Sequence, residues 1–278
     1  MRRGLLDSQS ATRPPSGLQG IRKNREEGAF GQLLSVELRM VSIVVPMLNE
    51  EPNLVLLVTR VAAAMGKIEW ELICVLDGCT DGSLDVLLGL RALHPELKIV
   101  ELETRLGQHA ALAVGLSFAA GDPVLTLDAD LQNPPEELPR LLGLLRQGFD
   151  AVGSIRRSRQ DSRVRKSASL LFRTLLALSG GRHRMADPGS MLRGWRREVV
   201  RRFLESGEPA LYLPVQLNRR AERYVELETA HDARAGGTSR YDAVKLALLL
   251  GKALLAARAP RLGSVPKAVV KGTYGLPQ

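Results

Sequence analysis

The sequence predicts an α/β fold with a mostly parallel sheet flanked by helices. Three observations carry this. Residues 41–46 (VSIVVP) and 123–127 (PVLTL) are unbroken apolar runs, as strands buried on both faces require. Strand-like runs alternate with helix-length stretches, which is the pattern of βαβ units. Three runs end in polar or acidic loops, at 47–51, 77–82 and 128–133. In an open α/β sheet, ligands bind outside the carboxyl ends of the strands.

The elements follow in order. Residues 1–39 mix Arg, Ser, Gly and Pro without a period and read as a disordered extension. Met40 directly precedes the first strand, so a misassigned start is the other reading. Glu26, Glu27 and Glu37 disfavour a transit peptide. After strand 41–46, Asn49 is placed to cap a helix. Strand 71–76 leads into the turn 77–82, and Asp81 or Ser83 caps the helix that runs to about Leu93. Strand 98–102 and a small-residue helix at 107–120 precede strand 123–127. Pro134 and Pro135 suit the first turn of a helix running to about Gln147. Strand 150–155 closes the alternating half.

The second half is less regular. Residues 156–166 are strongly basic, and a helix is expected at 167–179. Residues 191–195 read as a short strand with a helix after it, and 224–231 as a strand with one wet face. A Gly-rich loop at 233–240 precedes a last helix at 241–258, and the tail from Ala259 is expected to be poorly structured. The domain reading is therefore an extension at 1–39, one domain at 40–240, and an amphipathic helix with its tail at 241–278.

Of the 278 residues, 45% are hydrophobic, enough for one large domain or two small ones. Thirty-nine Lys and Arg against 30 Asp and Glu leave a net charge of +9, which suits an anionic partner. Nucleic acid, an acidic membrane face and phosphorylated substrates all qualify. Aromatics at 4% argue against stacking on single-stranded nucleic acid. Cys74 and Cys79 form no zinc or disulfide framework, which points to a reducing compartment. No apolar run reaches the ~18 residues of a membrane span. The nearest, 243–257, is interrupted by Lys245, Gly251 and Lys252. The N-terminus lacks the apolar core of a signal peptide.

Asp77 is placed to accept hydrogen bonds from a base or ribose. Asp128, Asp130 and Gln132 alternate at a strand end, where oxygen ligands can hold Mg²⁺ or Mn²⁺ against a diphosphate. Such a cation would neutralise charge on a leaving nucleoside diphosphate. Each feature has a plainer reading: a lone D-x-D is commonly a solvated turn, DGCTDG a helix-capping turn, and 156–166 a solvated basic segment. Their order at consecutive strand ends favours a site.

The strings VSIVVPMLNEEPNL, VLDGCTDGS, RLGQHAALAVG, LTLDADLQNPPEELPRLL, RQDSRVRKSAS, DPGSMLRGWRR and HDARAGGTSRY resemble the family 2 glycosyltransferases of GT-A (Rossmann-like) fold. Within these, residues 41–241 are similar to the polyprenyl-phosphate sugar transferases, the formamido-arabinose type more than the dolichol-phosphate mannose synthases. The resemblance implies inverting, metal-dependent transfer of a sugar from a nucleoside-diphosphate sugar, a UDP-sugar or else GDP-mannose, to polyprenyl phosphate. It implies nucleotide contacts at Pro46, Asn49, Glu50 and Asp77, with Gln108 as a donor contact and His109 as a donor-contacting or structural residue. It implies Asp128, Asp130 and Gln132 at the metal, and Arg156 and Lys166 in a basic loop over the phosphates. Asp187 contacts the sugar, orders that loop, or is a plain turn residue. Arg234, Ser239 and Arg240 match a later basic motif, with Arg where Lys is usual. A polyprenyl phosphate is already an anionic nucleophile, so positioning and charge neutralisation suffice without a catalytic His.

Four departures stand out. Leu76 replaces a usual Asp, Cys79 a usual Ser, and Pro188 a Tyr, and the relatives' two C-terminal membrane helices would begin near where this chain ends. Lys245 and Lys252 share one helix face, so 241–258 reads either as an interfacial helix or as a core-packed one. The expectation is a peripheral enzyme of envelope glycan assembly on the cytoplasmic membrane face, with no nucleic-acid partner. Transfer to a non-lipid acceptor and a degenerate nucleotide-sugar binder remain the alternatives.

Overall fold

The computed structural model describes residues 40–156, 183, 185–230 and 270–276. In chain order these form β1 (Val41–Met47), α1 (Leu54–Met65), β2 (Trp70–Leu76), α2 (Ser83–Arg91), β3 (Leu97–Leu102), α3 (Gln108–Phe118) and β4 (Val124–Thr126). They continue with α4 (Leu138–Arg146), β5 (Ala151–Arg156), β6 (Arg193–Trp195), α5 (Arg197–Ser206), α6 (Leu213–Asn218), β7 (Tyr224–Thr229) and β8 (Val270–Tyr274). One eight-stranded sheet has the order β7-β5-β6-β4-β1-β2-β3-β8. Six strands run in one direction; β6 and β8 oppose them. The α/β reading holds, and so does the mostly parallel sheet.

Both faces of the sheet are covered. Ile43, Val45 and Met47 of β1 face a cluster made with Leu54, Leu57, Val58 and Val61 of α1, Leu87 of α2, and Leu138, Leu141 and Leu145 of α4. Val44 joins the opposite cluster, with Ala111 to Leu116 of α3, Phe203 of α5, and Leu213 and Leu217 of α6. This period-two division explains why β1 reads as continuously apolar: each face has its own oil. The close approach of α3 depends on Gly115, where a Cβ would overlap Val44 and Val75.

One ionisable cluster is built into the layer. Glu71 on β2 is 1% exposed and pairs with Lys98 on β3, while accepting from Ser42 and from the Ala120 amide at 2.7 Å. Burial would raise the Glu71 carboxyl, but its donors together hold it below the ordinary range.

The structure differs from the sequence reading at Asn49 and in the tail, and it adds the position of one strand. Asn49 caps nothing; it adopts φ 55 and is separated from α1 by a 3-10 turn at Glu51–Asn53. Its amide is committed to another loop, described below. Strand β6, expected as a short strand, lies between β4 and β5, antiparallel to both. Gly194 permits this, since a Cβ there would come within 2.5 Å of Leu125 and 2.8 Å of Leu145. Finally, the tail is not without structure. Val270–Tyr274 pairs antiparallel with β3, and Lys271 reaches Glu101 at 2.6 Å. Val270 and Tyr274 pack against the core, so the short alternation VKGTY acts as an edge strand despite its Gly punctuation. The expected extension at 1–39 and the helices at 167–179 and 241–258 lie outside the described residues.

Candidate active site

The carboxyl ends of β1, β2, β4 and β5 open on one edge of the sheet. The first two loops are laced together. Asn49 Oδ1 accepts from the Thr80 amide at 2.8 Å, and its Nδ2 donates to Thr80 Oγ1 at 3.1 Å. Glu51 accepts from the Gly82 amide at 2.8 Å, while Asp81 accepts from the Glu51 amide at 3.2 Å. The loops after β1 and β2 therefore behave as one wall. Pro46 lies inside β1, buried, opposite Val75. Glu50 accepts from Asn53 Nδ2 at 2.7 Å.

Asp77 follows β2 and is 3% exposed. Its Oδ1 accepts from the Leu106 amide at 2.6 Å and its Oδ2 from the Gly107 amide at 2.9 Å. The carboxylate thus anchors the loop that leads into α3, a duty the sequence did not reveal. Gly78 allows the approach: it adopts φ 68, and a Cβ would stand 2.8 Å from the Arg105 nitrogen. Leu76, where an acidic residue was the expectation, is buried in the core under this loop.

The loop after β4 carries the carboxylates. Asp128 Oδ1 accepts from Gln108 Nε2, at the start of α3, at 2.9 Å, and its Oδ2 accepts from Asn133 Nδ2 at 3.3 Å. Burial pushes the Asp128 carboxyl up to about 7, and the charge of Asp130 adds to this. Arg156 and the Gln108 bond oppose it; Glu50 contributes a further small rise. Asp130 turns back to accept from the Gln132 amide at 3.2 Å. Leu131 between them adopts φ 60, a conformation costing a leucine about 1–3 kcal/mol. Gln132 is half-buried beside the pair.

These residues fit a hard divalent cation. Burial and the neighbouring Asp130 charge disfavour the ionised Asp128 carboxylate, a cost that a cation at this strand end would relieve. Asn133 Oδ1, 2% exposed at the residue level, meets no donor among the described residues. No three His, Cys, Asp or Glu side chains converge among the described residues. Mg²⁺ sites commonly use one or two carboxylates and complete the shell with substrate phosphates and water.

Arg156 ends β5 and forms a two-pronged pair with Asp187, Nε to Oδ2 at 2.6 Å and Nη2 to Oδ1 at 2.9 Å. Asp187 is 4% exposed. The pair holds the side chain of Arg156, the first residue of the basic segment; residues 157–166 lie outside the described residues. The turn bearing Asp187 is held by residues that sequence reasoning missed: Arg193, Tyr224 and Glu226. Their only signal was a charge inside strand-like runs, MLRGW and YVELET. His109 lies edge-on to Tyr212, ring centres 5.0 Å apart. Lys166, Arg234, Ser239 and Arg240 lie outside the described residues.

A sheet with acidic loops after β2 and β4 and an arginine after β5 is matched from residues 42 to 204 by the model of glycosyl transferase family 2. The chain belongs to that family. Family 2 relatives include undecaprenyl-phosphate 4-deoxy-4-formamido-L-arabinose transferases. That of Pectobacterium atrosepticum is 43% identical over 218 residues, covering 77% of this chain and 66% of the relative. That of Aeromonas hydrophila is 42% identical, covering 78% and 67%. The match thus spans about two-thirds of the length of these relatives. Among solved structures, glucosyl-3-phosphoglycerate synthase from Mycobacterium tuberculosis, in complex with Mn²⁺, UDP and glucosyl-3-phosphoglycerate, superposes with a TM-score of 0.56. It is 23% identical, and the match covers 79% of this chain and 80% of that one. At that identity the likeness establishes the shared fold of the family 2 domain and nothing finer.

Proposed function

We propose that this family 2 protein transfers a sugar, with inversion, from a nucleoside-diphosphate sugar to polyprenyl phosphate at a membrane surface. The observation that carries the reading is the meeting of Asp128, Asp130, Gln108 and the Arg156–Asp187 pair at one sheet edge. The undecaprenyl-phosphate transferases among its relatives suggest the acceptor class. A UDP-sugar is the favoured donor, with GDP-mannose as the competitor, and the laced β1–β2 wall is the proposed seat of the base and ribose of either.

Asp128, Asp130 and Gln132 would hold Mg²⁺ or Mn²⁺, and when bound the cation neutralises negative charge on the departing diphosphate. Gln108 and Asn133 fix the Asp128 carboxylate from its two sides, so its orientation is set before donor arrives. Arg156, its Nε and Nη2 held by Asp187, brings a guanidinium charge to the phosphates, and Lys166, Arg234 and Arg240 are its proposed companions. The acceptor phosphate is an anion at neutral pH and attacks the anomeric carbon as the bond to the diphosphate breaks. No proton need be removed by the protein. Among the described residues no helix is long and apolar enough to cross a membrane. The proposed lipid contact is peripheral, on the cytoplasmic face, through 241–258.

The test is incubation of the purified chain with labelled nucleotide sugars, undecaprenyl phosphate and Mn²⁺ or Mg²⁺, followed by extraction into organic solvent. Label in the organic phase, dependent on both lipid and cation, is expected. Label transferred only to water-soluble phosphorylated acceptors would overturn the lipid reading. Donor binding without turnover on any acceptor would overturn the enzymatic one.

A further inference from the structure

Beside the Arg156–Asp187 pair is a polar cluster made of buried Arg193 and half-buried Tyr224 and Glu226. Arg193, on β6, is 0% exposed. Its Nε donates to the Ser190 carbonyl at 2.7 Å, its Nη2 to the Asp187 carbonyl, and its Nη1 to the Tyr224 hydroxyl at 3.2 Å. Tyr224, on β7, donates in turn to Glu226 Oε1 at 2.8 Å. The Glu226 carboxylate accepts from the Ala186 amide at 2.8 and 3.0 Å. The guanidinium thus grips carbonyls of the 186–190 turn, and the carboxylate grips an amide of the same turn. The tyrosine hydroxyl joins the two. Ser154 Oγ on β5 meets Ser190 Oγ at 2.5 Å, and Tyr212 donates to the Pro188 carbonyl at 2.6 Å.

Room for this arrangement is reserved in the sheet. Gly153 lies on β5 between the strands that carry the cluster. A Cβ there would overlap the Tyr224 hydroxyl and stand 2.7 Å from Arg193 Nη1. Gly189 does the same on the turn, where a Cβ would lie 3.3 Å from Arg156 Nη2. Burying a charged pair of this kind seldom adds net stability compared with apolar residues of similar volume. A fully satisfied network does, however, rigidify the segment it holds.

We propose that Arg193, Tyr224 and Glu226 are positioning residues. They clasp the 186–190 turn and so set the place of Asp187, and through it the direction of the Arg156 guanidinium at the acceptor side of the site. The inference rests on the function proposed above for the meaning of that direction, but not for the existence of the clasp. The three residues touch no substrate. They act by holding Arg156 within the small tolerance that group transfer requires, where a misplacement of about 1 Å costs on the order of 10²-fold.

Two measurements on the full chain test this. The first follows the Arg156 Nε–H signal by NMR, assigned by its loss in Arg156→Lys. A slowly exchanging signal is expected in the wild type, since Asp187 holds that proton. Tyr224→Phe and Glu226→Ala should broaden it or speed its exchange. Glu226→Gln, whose carbonyl oxygen can still accept from the Ala186 amide, should restore it. The second measures sugar transfer to undecaprenyl phosphate. Tyr224→Phe and Glu226→Ala should lower kcat about 10- to 100-fold, measured well below each variant's melting temperature, with donor KM within about twofold; Glu226→Gln should recover most of the rate. An Arg156 signal identical in every variant overturns the clasp, as does a loss of rate that merely tracks loss of folding. If the signal responds as expected while the wild type makes no lipid-linked product, the clasp stands and the lipid-transfer reading falls.

Discussion

Replacing Asp128 by Asn should stabilise the cation-free protein while abolishing its cation response. A carboxyl raised from an ordinary 3.8 to about 7 is one the fold prefers protonated. At pH 8 it is ionised regardless, and the full shift corresponds to ~4 kcal/mol of lost stability. Asp128 keeps part of its surface and lies near Arg156, so solvent screening reduces this to ~2 kcal/mol. The introduced amide can still accept from Gln108, and a flip of the Asn133 amide, whose oxygen has no donor now, lets it accept from the new NH₂. The sign follows from proton binding. The unfolded chain sheds this proton near pH 4, the folded chain near 7, so wild-type stability falls as pH rises through that window. Asp128→Asn should therefore match the wild type near pH 4 and exceed it by ~2 kcal/mol at pH 8, or ~4–8 °C in melting temperature for a domain of this size. Unfolding with chelator present, repeated at pH 4.5, 6 and 8, measures it. Added Mn²⁺ should raise the wild type and leave the variant unmoved. A variant less stable at pH 8, or a gap independent of pH, would refute the reasoning.

Three further outcomes are expected. Asp130→Ala should abolish cation-stimulated nucleoside-diphosphate release, measured by coupled assay; full activity would sink the metal assignment. Arg156→Ala removes the partner of a buried carboxylate, and with Lys166→Ala should chiefly raise the acceptor KM while donor KM stays; unchanged acceptor kinetics would contradict the basic-segment role. Lys98→Met removes the charge partner of Glu71, leaves it only the Ser42 and Ala120 donors, and should cost about 2–4 kcal/mol at pH 7.5 by urea unfolding. Because Glu71 is held below its ordinary range, that stabilisation is present above about pH 4.5 and fades below it, so the gap should narrow in acid.

The strands that were legible are those whose burial is written in consecutive residues. β1 and β2 face helices on both sides, so every position is apolar or satisfied, and their runs are unmistakable. β6 and β8 were harder for opposite reasons. The run at 191–195 was visible as a strand, but its place between β4 and β5 depends on the Gly194 contact with Leu125 and Leu145, a relation among three distant segments. β8 is an edge strand held mainly by its ladder to β3, and five residues of VKGTY carry too little pattern to stand out from a Gly-punctuated tail.

The site divides along the same line. Asp128 and Asp130 were readable because their chemistry is local: two carboxylates at a strand end. What decides their behaviour is not local. Gln108 comes from α3, Glu50 from the loop after β1, and Arg156 from β5, and all three bear on the Asp128 proton. Asp77 shows the converse. Its type and position suggest a ligand contact, yet both oxygens are committed to the amides that open α3, the helix that delivers Gln108 to Asp128. Asp77 and Asp128 are therefore not parallel contributors to a pocket but successive links of one chain of support. A change at Asp77 should be felt at Asp128 through the 104–107 loop, whatever else it does to a nucleotide.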